Sequence, residues 1–328
     1  MDDVVVLGAG VIGLTTALGL AELGVPVRVW AAEPPERTTS IVAGALWGPA
    51  FGEPQLGWSL AAKAEFDQLA LDPSTGVRQV RGREVTDISA DPPPWVDHLP
   101  ELEYCDPATL PHGMLFGLRT TVPVITMPVY LRYLVSRLAS AGVSVELRSV
   151  DRLDVAPIVV NCTGYGALAL TADDALEPVR GQHVVVANPG IDEFYVEARA
   201  GKGAGFFPPV AAEDTEADGS IWAGYFPHGD YVVVGGVAQP GETSLEPDLD
   251  TARRMLALCA EVEPLLADAE VLDHQVGLRP GRPAPRVEAE HIGSSTVIHN
   301  YGHGGMGVTL SWGTARAAQS LVAEAMGT

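Results

Sequence analysis

An α/β fold, with a parallel-sheet dinucleotide domain interrupted by a mostly antiparallel β domain, is predicted by three features of this 328-residue chain. A β-branched run, Val4-Val5-Val6-Leu7, leads straight into Gly8-Ala9-Gly10-Val11-Ile12-Gly13. A second glycine-rich turn, Asn300-Tyr301-Gly302-His303-Gly304-Gly305-Met306-Gly307-Val308-Thr309, stands near the other end. Between the two lie segments whose apolar residues recur with the period of two that marks a strand.

Val4 to Leu7 reads as a buried parallel strand. Gly8 then permits the tight turn, Gly10 lets backbone approach a pyrophosphate, and Gly13 allows close helix–sheet packing, with Val11 and Ile12 opening the helix. That helix is expected to reach about Leu23 and to stop at Gly24. Val4 to Leu20 is nearly uncharged, yet Asp2 and Asp3 stand where a signal peptide carries basic residues. Val27 to Trp30 is the next strand, and Glu33 follows it, placed to accept hydrogen bonds from both ribose hydroxyls of an adenosine. Pro128 to Ala139 reads as an amphipathic helix, with Leu131, Leu134, Val135 and Leu138 on one face. Val143 to Leu147 and Ile158 to Asn161 read as strands, the second ending in Thr163-Gly164. His183 to Val186, Phe194 to Ala198, Ile221 to Phe226 and Tyr231 to Val237 alternate like antiparallel strands, the last two joined at His228-Gly229-Asp230. Gln275 to Leu278 is strand-like before Arg279, and the C-terminal turn feeds a helix through about Val322. The expected division is a nucleotide domain from residues 1–50, 128–181 and 273–328, and a substrate domain from 51–127 and 182–272. The substrate is expected where the two meet.

With 42 acidic residues against 20 basic ones, the formal charge of −22 argues against nucleic acid or an anionic membrane as partner. Cys105, Cys162 and Cys259 are scattered with no CxxC, which fits neither a disulfide framework nor a zinc ribbon and suits a reducing cytoplasm. No HExxH, paired-carboxylate or Gly-x-Ser-x-Gly pattern is present, and no metal is expected. Asn161-Cys162-Thr163 matches a glycosylation sequon, but it ends a hydrophobic strand and is expected to be inaccessible.

Six motifs in order carry a resemblance: Gly8 to Gly13, Ala43-Gly44-Ala45-Leu46-Trp47, Val160-Asn161-Cys162-Thr163-Gly164, Pro178-Val179-Arg180-Gly181-Gln182, Gly277-Leu278-Arg279-Pro280-Gly281-Arg282-Pro283 and Asn300 to Gly305. Over nearly its whole length the chain resembles the D-amino-acid oxidase family. The resemblance implies a Rossmann-like FAD-binding domain with an inserted, mostly antiparallel β substrate domain. It also implies bound FAD and oxidative deamination of D-amino acids, with O2 as acceptor giving hydrogen peroxide. A homodimer stays open. The resemblance makes Arg279 the carboxylate anchor, adds the hydroxyl of Tyr225, and gives the substrate amine to the carbonyl of Gly305. Besides the first glycine turn and Glu33, it assigns FAD contacts to Thr38, Thr39, Ala43, Gly44, Ala45, Leu46, Thr163, Gly164, Gly304, Gly305, Gly307, Val308 and Thr309.

Two positions depart from the family pattern: Ile221 stands where a second tyrosine precedes Tyr225 by four residues, and Met306 where some members carry tyrosine. His303 reads as structural, because hydride transfer from a neutral amine needs no positioned base, and Arg282 and Arg286 read as structural or solvent-facing. Leu46, Gly48, Ile221 and Tyr225, with Phe206 and Phe207 nearby, make an apolar candidate pocket, so a neutral D-amino acid is expected unless Arg180 or another arginine reaches it. The alternatives are a D-aspartate oxidase with a second cation, a glycine or sarcosine oxidase, a redox-silent FAD-binding protein and an NAD-dependent dehydrogenase.

Overall fold

The computed structural model describes residues 3–50, 52–89, 91–92, 94–99, 101–199 and 221–327. The first elements are β1 (Val4–Leu7), α1 (Val11–Glu22), β2 (Val27–Ala31), α2 (Gln55–Leu69), β3 (Val77–Thr86), β4 (Glu103–Tyr104) and β5 (Phe116–Ile125). There follow α3 (Met127–Ser140), β6 (Val145–Leu147), β7 (Ile158–Asn161), α4 (Ala167–Thr171), β8 (Glu177–Ala187), β9 (Phe194–Ala198), β10 (Ile221–Pro227) and β11 (Tyr231–Val237). The last are β12 (Gln239–Pro240), α5 (Leu249–Val262), β13 (Val271–Gly281), β14 (Arg286–Ile292), β15 (Ser295–Tyr301) and α6 (Gly307–Met326).

Two sheets result. The first has six strands in the order β14-β15-β7-β1-β2-β6, parallel except for the antiparallel edge pair β14–β15. β1 lies inside it with every residue buried, which is why its sequence is a continuous apolar run and does not alternate. α1 ends at Glu22 with Leu23 as its C-cap, and Gly24 takes the left-handed conformation (φ +77) that closes the helix as the sequence predicts. α6 lies against α1 and α2 at close range: a Cβ on Gly19 would overlap the Gln319 side chain, and one on Gly313 the backbone of Trp58. It runs to Met326, four residues beyond the expected end, and stops at the left-handed Gly327. No helix among the described residues is long and apolar enough to cross a membrane.

The second sheet has nine strands, β12-β8-β11-β10-β9-β3-β5-β4 with β13 on the other edge of β8. Its neighbours are antiparallel apart from the β3–β9 pair. β8 and β13 are eleven-residue strands paired along their whole length, and the expected boundaries at 181/182 and 272/273 fall inside them. Gly181 and Arg279 lie on this strand pair and line the cavity described below. α5 covers the outer face of this sheet. Its first turn is capped by Asp248, whose carboxylate accepts from the N–H groups of Asp250 and Thr251. Beneath it Tyr195, Ile221, Ala223, Tyr225, Val232, Val234, Met255 and Cys259 form a separate apolar core.

α3 is tied to α6 by a buried hydrogen bond from Trp312 Nε1 to the Tyr130 hydroxyl at 2.8 Å. Tyr130→Phe leaves that indole N–H without an acceptor in an apolar surround, so a loss of about 1–3 kcal/mol is expected. A urea midpoint equal to wild type at unchanged slope would show that water or another acceptor takes the proton.

Candidate functional site

A cavity of about 1100 Å³ opens between the two sheets, running from Glu33 at the end of β2 to Thr309 in the first turn of α6. The loops after the parallel strands build one wall. Gly8, Gly10, Val11 and Ile12 line it at the β1–α1 turn, Thr38, Thr39 and Ala43 to Leu46 in the loop after β2, and Thr163 and Gly164 after β7. Gly304, Gly305, Gly307, Val308 and Thr309 line it at the start of α6. Gly8 has φ +105, and a Cβ there would overlap the Cys162 carbonyl. Gly13 does not reach the cavity; it packs against the carbonyl of Gly8, which is the helix–sheet contact its position in the motif demands. Ser40, unnoticed as a site residue in the sequence, accepts the Val11 N–H at 3.0 Å and so fixes the loop against the start of α1.

The electrostatics of this wall oppose those of the chain. Arg37, Arg148, Arg199, Arg279 and Arg282 line the cavity, and Glu33 is its one carboxylate among the described residues. Neither α1 nor α6 has an acidic residue in its first turn; α6 has no side-chain cap, and on α1 only the first N–H is taken, by the Ser40 hydroxyl, so both helix N-termini keep positive ends for a bound anion. A protein of formal charge −22 has thus gathered cations where the cavity lies.

Arg279 is the exceptional cation. Its guanidinium lies over Gly181, where a Cβ would overlap it, and Nη1 donates to the Val237 carbonyl at 2.9 Å. No carboxylate pairs with it among the described residues, and burial alone pushes its pKa down to about 10. By contrast, Arg282 meets Asp173 at 3.0 Å and Arg199 meets Glu197 at 2.7 Å. Arg180, the cation that the sequence could not place, is fully used elsewhere. It donates to the carbonyls of Ser244 and Glu246 and to the side chains of Gln239 and Gln182, clamping the segment after β12, and it does not line the cavity. Gly305 adjoins Arg279, with its Cβ direction 3.6 Å from Arg279 Cδ.

Three buried histidines border the site and all are held neutral. Burial lowers His303 to about 3 and His183 to about 4; His303 Nε2 meets the Thr314 hydroxyl at 3.2 Å and His183 Nε2 meets Gln275 at 2.9 Å. His228, lowered to about 4 by burial, meets the Gly44 carbonyl at 3.2 Å and so braces the loop after β2.

Tyr225 and Ile221 require correction. Both belong to the core under α5, on the face of β10 turned away from the cavity, and Tyr225 stacks on Tyr195 with ring centroids 5.5 Å apart. Trp222 and Phe226, on the other face, line the cavity. Both faces of β10 are apolar, because α5 covers one and the cavity the other, so alternation alone could not say which phase faced the ligand. The aromatic residues that β10 presents to the cavity are Trp222 and Phe226, neither of which offers the hydroxyl expected of Tyr225. Leu46 and Gly48 do line the cavity; Phe206 and Phe207 lie outside the described residues.

The family model described as FAD dependent oxidoreductase matches residues 3–321. Two curated relatives are called D-amino-acid oxidase. The one from Rubrobacter xylanophilus is 42% identical, covering 98% of this chain and 96% of its own, and the one from Streptomyces coelicolor is 41% identical, covering 97% and 96%. A glycine oxidase structure from Geobacillus kaustophilus superposes with a TM-score of 0.79 at 18% identity, covering 98% of this chain and 95% of its own, a likeness of fold.

An unpaired buried arginine facing a cavity should gain when an anion arrives. A small carboxylate at a hundred times its Kd is expected to stabilise the holoenzyme by about 2.7 kcal/mol. Arg279→Met should show no such gain while melting no lower than wild type, since it removes a cation that burial disfavours. Equal carboxylate shifts in the two proteins would move the anion site away from Arg279.

Proposed function

This chain belongs to the D-amino-acid oxidase family of FAD-dependent oxidoreductases, and on that premise we propose that Arg279 anchors the substrate carboxylate beneath an aromatic wall that favours neutral side chains. The observation that carries the reading is the cation of Arg279, buried in the cavity wall with no carboxylate of its own among the described residues. The activity is oxidative deamination of D-amino acids to 2-oxo acid, ammonia and hydrogen peroxide.

The cavity fits FAD on chemical grounds. Its glycine-lined turn admits a pyrophosphate, Glu33 offers a carboxylate at the expected ribose end, and the uncapped start of α6 favours negative charge. When bound, FAD supplies the hydride acceptor, and O2 restores its oxidised form.

The chain's own residues then have positioning work. The planar fork of Arg279 suits a carboxylate in bidentate fashion and fixes the substrate's rotation about its Cα. Gly305, beside the Arg279 stem, is where a backbone carbonyl can accept a hydrogen bond from the substrate amine. Trp222 and Phe226 shed water from the same region and offer no carboxylate or phenol. His183 and His303 are both depressed below the range usual for imidazole, so each is neutral near neutral pH and neither is read as the base that abstracts a proton.

The same geometry shapes side-chain preference. The second cation on the wall, Arg199, is held by Glu197 at 2.7 Å and lies 3.8 Å from Asp87, which leaves its charge balanced. An acidic substrate side chain would then lose hydration without gaining a free partner, whereas each buried CH₂ contributes about 0.8 kcal/mol. D-Val, D-Leu, D-Met or D-Phe should therefore outrank D-Asp and D-Glu in kcat/KM by a peroxide-coupled assay. A D-Asp optimum would mean that Arg199 exchanges its partners for substrate, and the reading would become that of a D-aspartate oxidase.

Kinetics of three variants separate the two faces of β10. Arg279→Met should cut kcat/KM by roughly thirtyfold to several-thousandfold, the cost of about 2–5 kcal/mol for breaking a buried charge-assisted pair. Trp222→Ala should raise KM severalfold by opening the wall. Tyr225→Phe should stay within about twofold of wild type in kcat/KM, because its ring packs in the α5 core on the face of β10 turned away from the cavity. A large loss in Tyr225→Phe with intact FAD content would return that hydroxyl to the pocket.

A further inference from the structure

At the carboxyl ends of β7 and β15, where His299 and Asn161 are direct partners in register, a buried chain of side chains runs from the surface to the cavity. Its orientation follows from which groups can only donate. The Thr163 N–H meets an Asn161 side-chain atom at 3.2 Å, and since an amide N–H cannot accept, that atom is the carbonyl oxygen. The Thr163 hydroxyl lies 2.7 Å from the same oxygen and directs its one proton there. The Asn161 amide nitrogen then faces His299 Nδ1 at 3.4 Å, and because it too only donates, Nδ1 must be the unprotonated nitrogen. Nε2 carries the proton and donates to Glu290 at 3.0 Å, the carboxylate that Arg286 also holds at 3.0 Å. Asn161 and His299 are both fully buried, so water does not scramble the arrangement.

Thr163 lines the cavity, and with its proton committed inward its hydroxyl offers only lone pairs to whatever lies there. A phosphate oxygen, itself an acceptor, would be repelled; a sugar or ribityl hydroxyl would be matched. We propose that Glu290, His299 and Asn161 are positioning residues that hold the Thr163 hydroxyl as a pure acceptor, so that this stretch of wall takes a hydroxyl of FAD's polyol or ribose and excludes its phosphates. The proposal rests on the FAD reading of the cavity. It gives Arg286 a role at one remove, as the cation that keeps Glu290 in place.

The test uses the full-length protein stripped of FAD and titrated with it by flavin fluorescence. Thr163→Ser, which keeps the oxygen, should hold the Kd within about twofold, and Thr163→Val should raise it roughly two- to tenfold, the scale of one neutral hydrogen bond. His299→Phe should weaken FAD binding when Thr163 is present and have little further effect in the Thr163→Val background, a coupling that mere packing would not produce. Nitrogen-15 NMR of the wild type should find His299 protonated at Nε2. An Nδ1–H tautomer, additive losses in the double variant, or equal FAD affinity for Thr163→Val and wild type would each overturn the relay. A wild-type protein that binds no FAD at all would instead remove the cofactor reading beneath it.

Discussion

The fold is organised around one uncompensated charge. Arg279 is held away from bulk water on β13, its guanidinium laid over Gly181 and, among the described residues, tied to a single backbone carbonyl with no carboxylate beside it. A buried cation in that state is tolerated only where a ligand completes it or where stability is given up for function. Much around it makes the arrangement possible. Gly181 leaves space for the guanidinium, the long β8–β13 pair holds it in the cavity wall, and the neighbouring Arg180 is drawn off to clamp the segment after β12.

Charge placement gives the cavity its direction. Glu33 marks one end, five arginines are spread along the wall, and the uncapped start of α6 closes the other end. Four of those arginines are exposed, stacked or already paired: Arg148 lies 3.7 Å over the Trp30 ring, Arg37 is 3.8 Å from Glu33, and Arg199 and Arg282 have carboxylates. The buried histidines add no charge. What remains for a small anionic substrate is Arg279, in a cavity whose lining also includes the aromatic rings of Trp222 and Phe226.

The nucleotide half was legible because its signals are local. A buried strand, a glycine turn and a capped helix are each set by neighbouring residues, and β1, α1 and β2 lie where the sequence placed them to within a residue or so. β9 and β11 agree with their expected spans as well, each a short, mostly apolar run next to turn residues. The substrate half was legible in its strands but not in their facing. On β10 the choice between Ile221–Tyr225 and Trp222–Phe226 depends on α5, which lies more than twenty residues further along the chain and covers one face. The register shift between Trp222 and Tyr225 blurs the alternation further. Ser40 and the His299–Asn161 pair were hidden for a related reason: their roles come from contacts across the fold, such as the one from Ser40 to the start of α1.

The central claim is that a D-amino acid is oriented in this cavity through its carboxylate on Arg279. The most direct measurement is anaerobic mixing of the yellow holoenzyme with matched D- and L-isomers, following loss of the flavin absorbance in wild type and in Arg279→Lys. Arg279→Lys keeps the charge but not the planar fork. The account predicts rapid bleaching by D-isomers alone, and a rate at subsaturating substrate that falls at least tenfold in the variant. Bleaching by L-isomers, or an Arg279→Lys protein reduced as fast as wild type at low substrate, would contradict it.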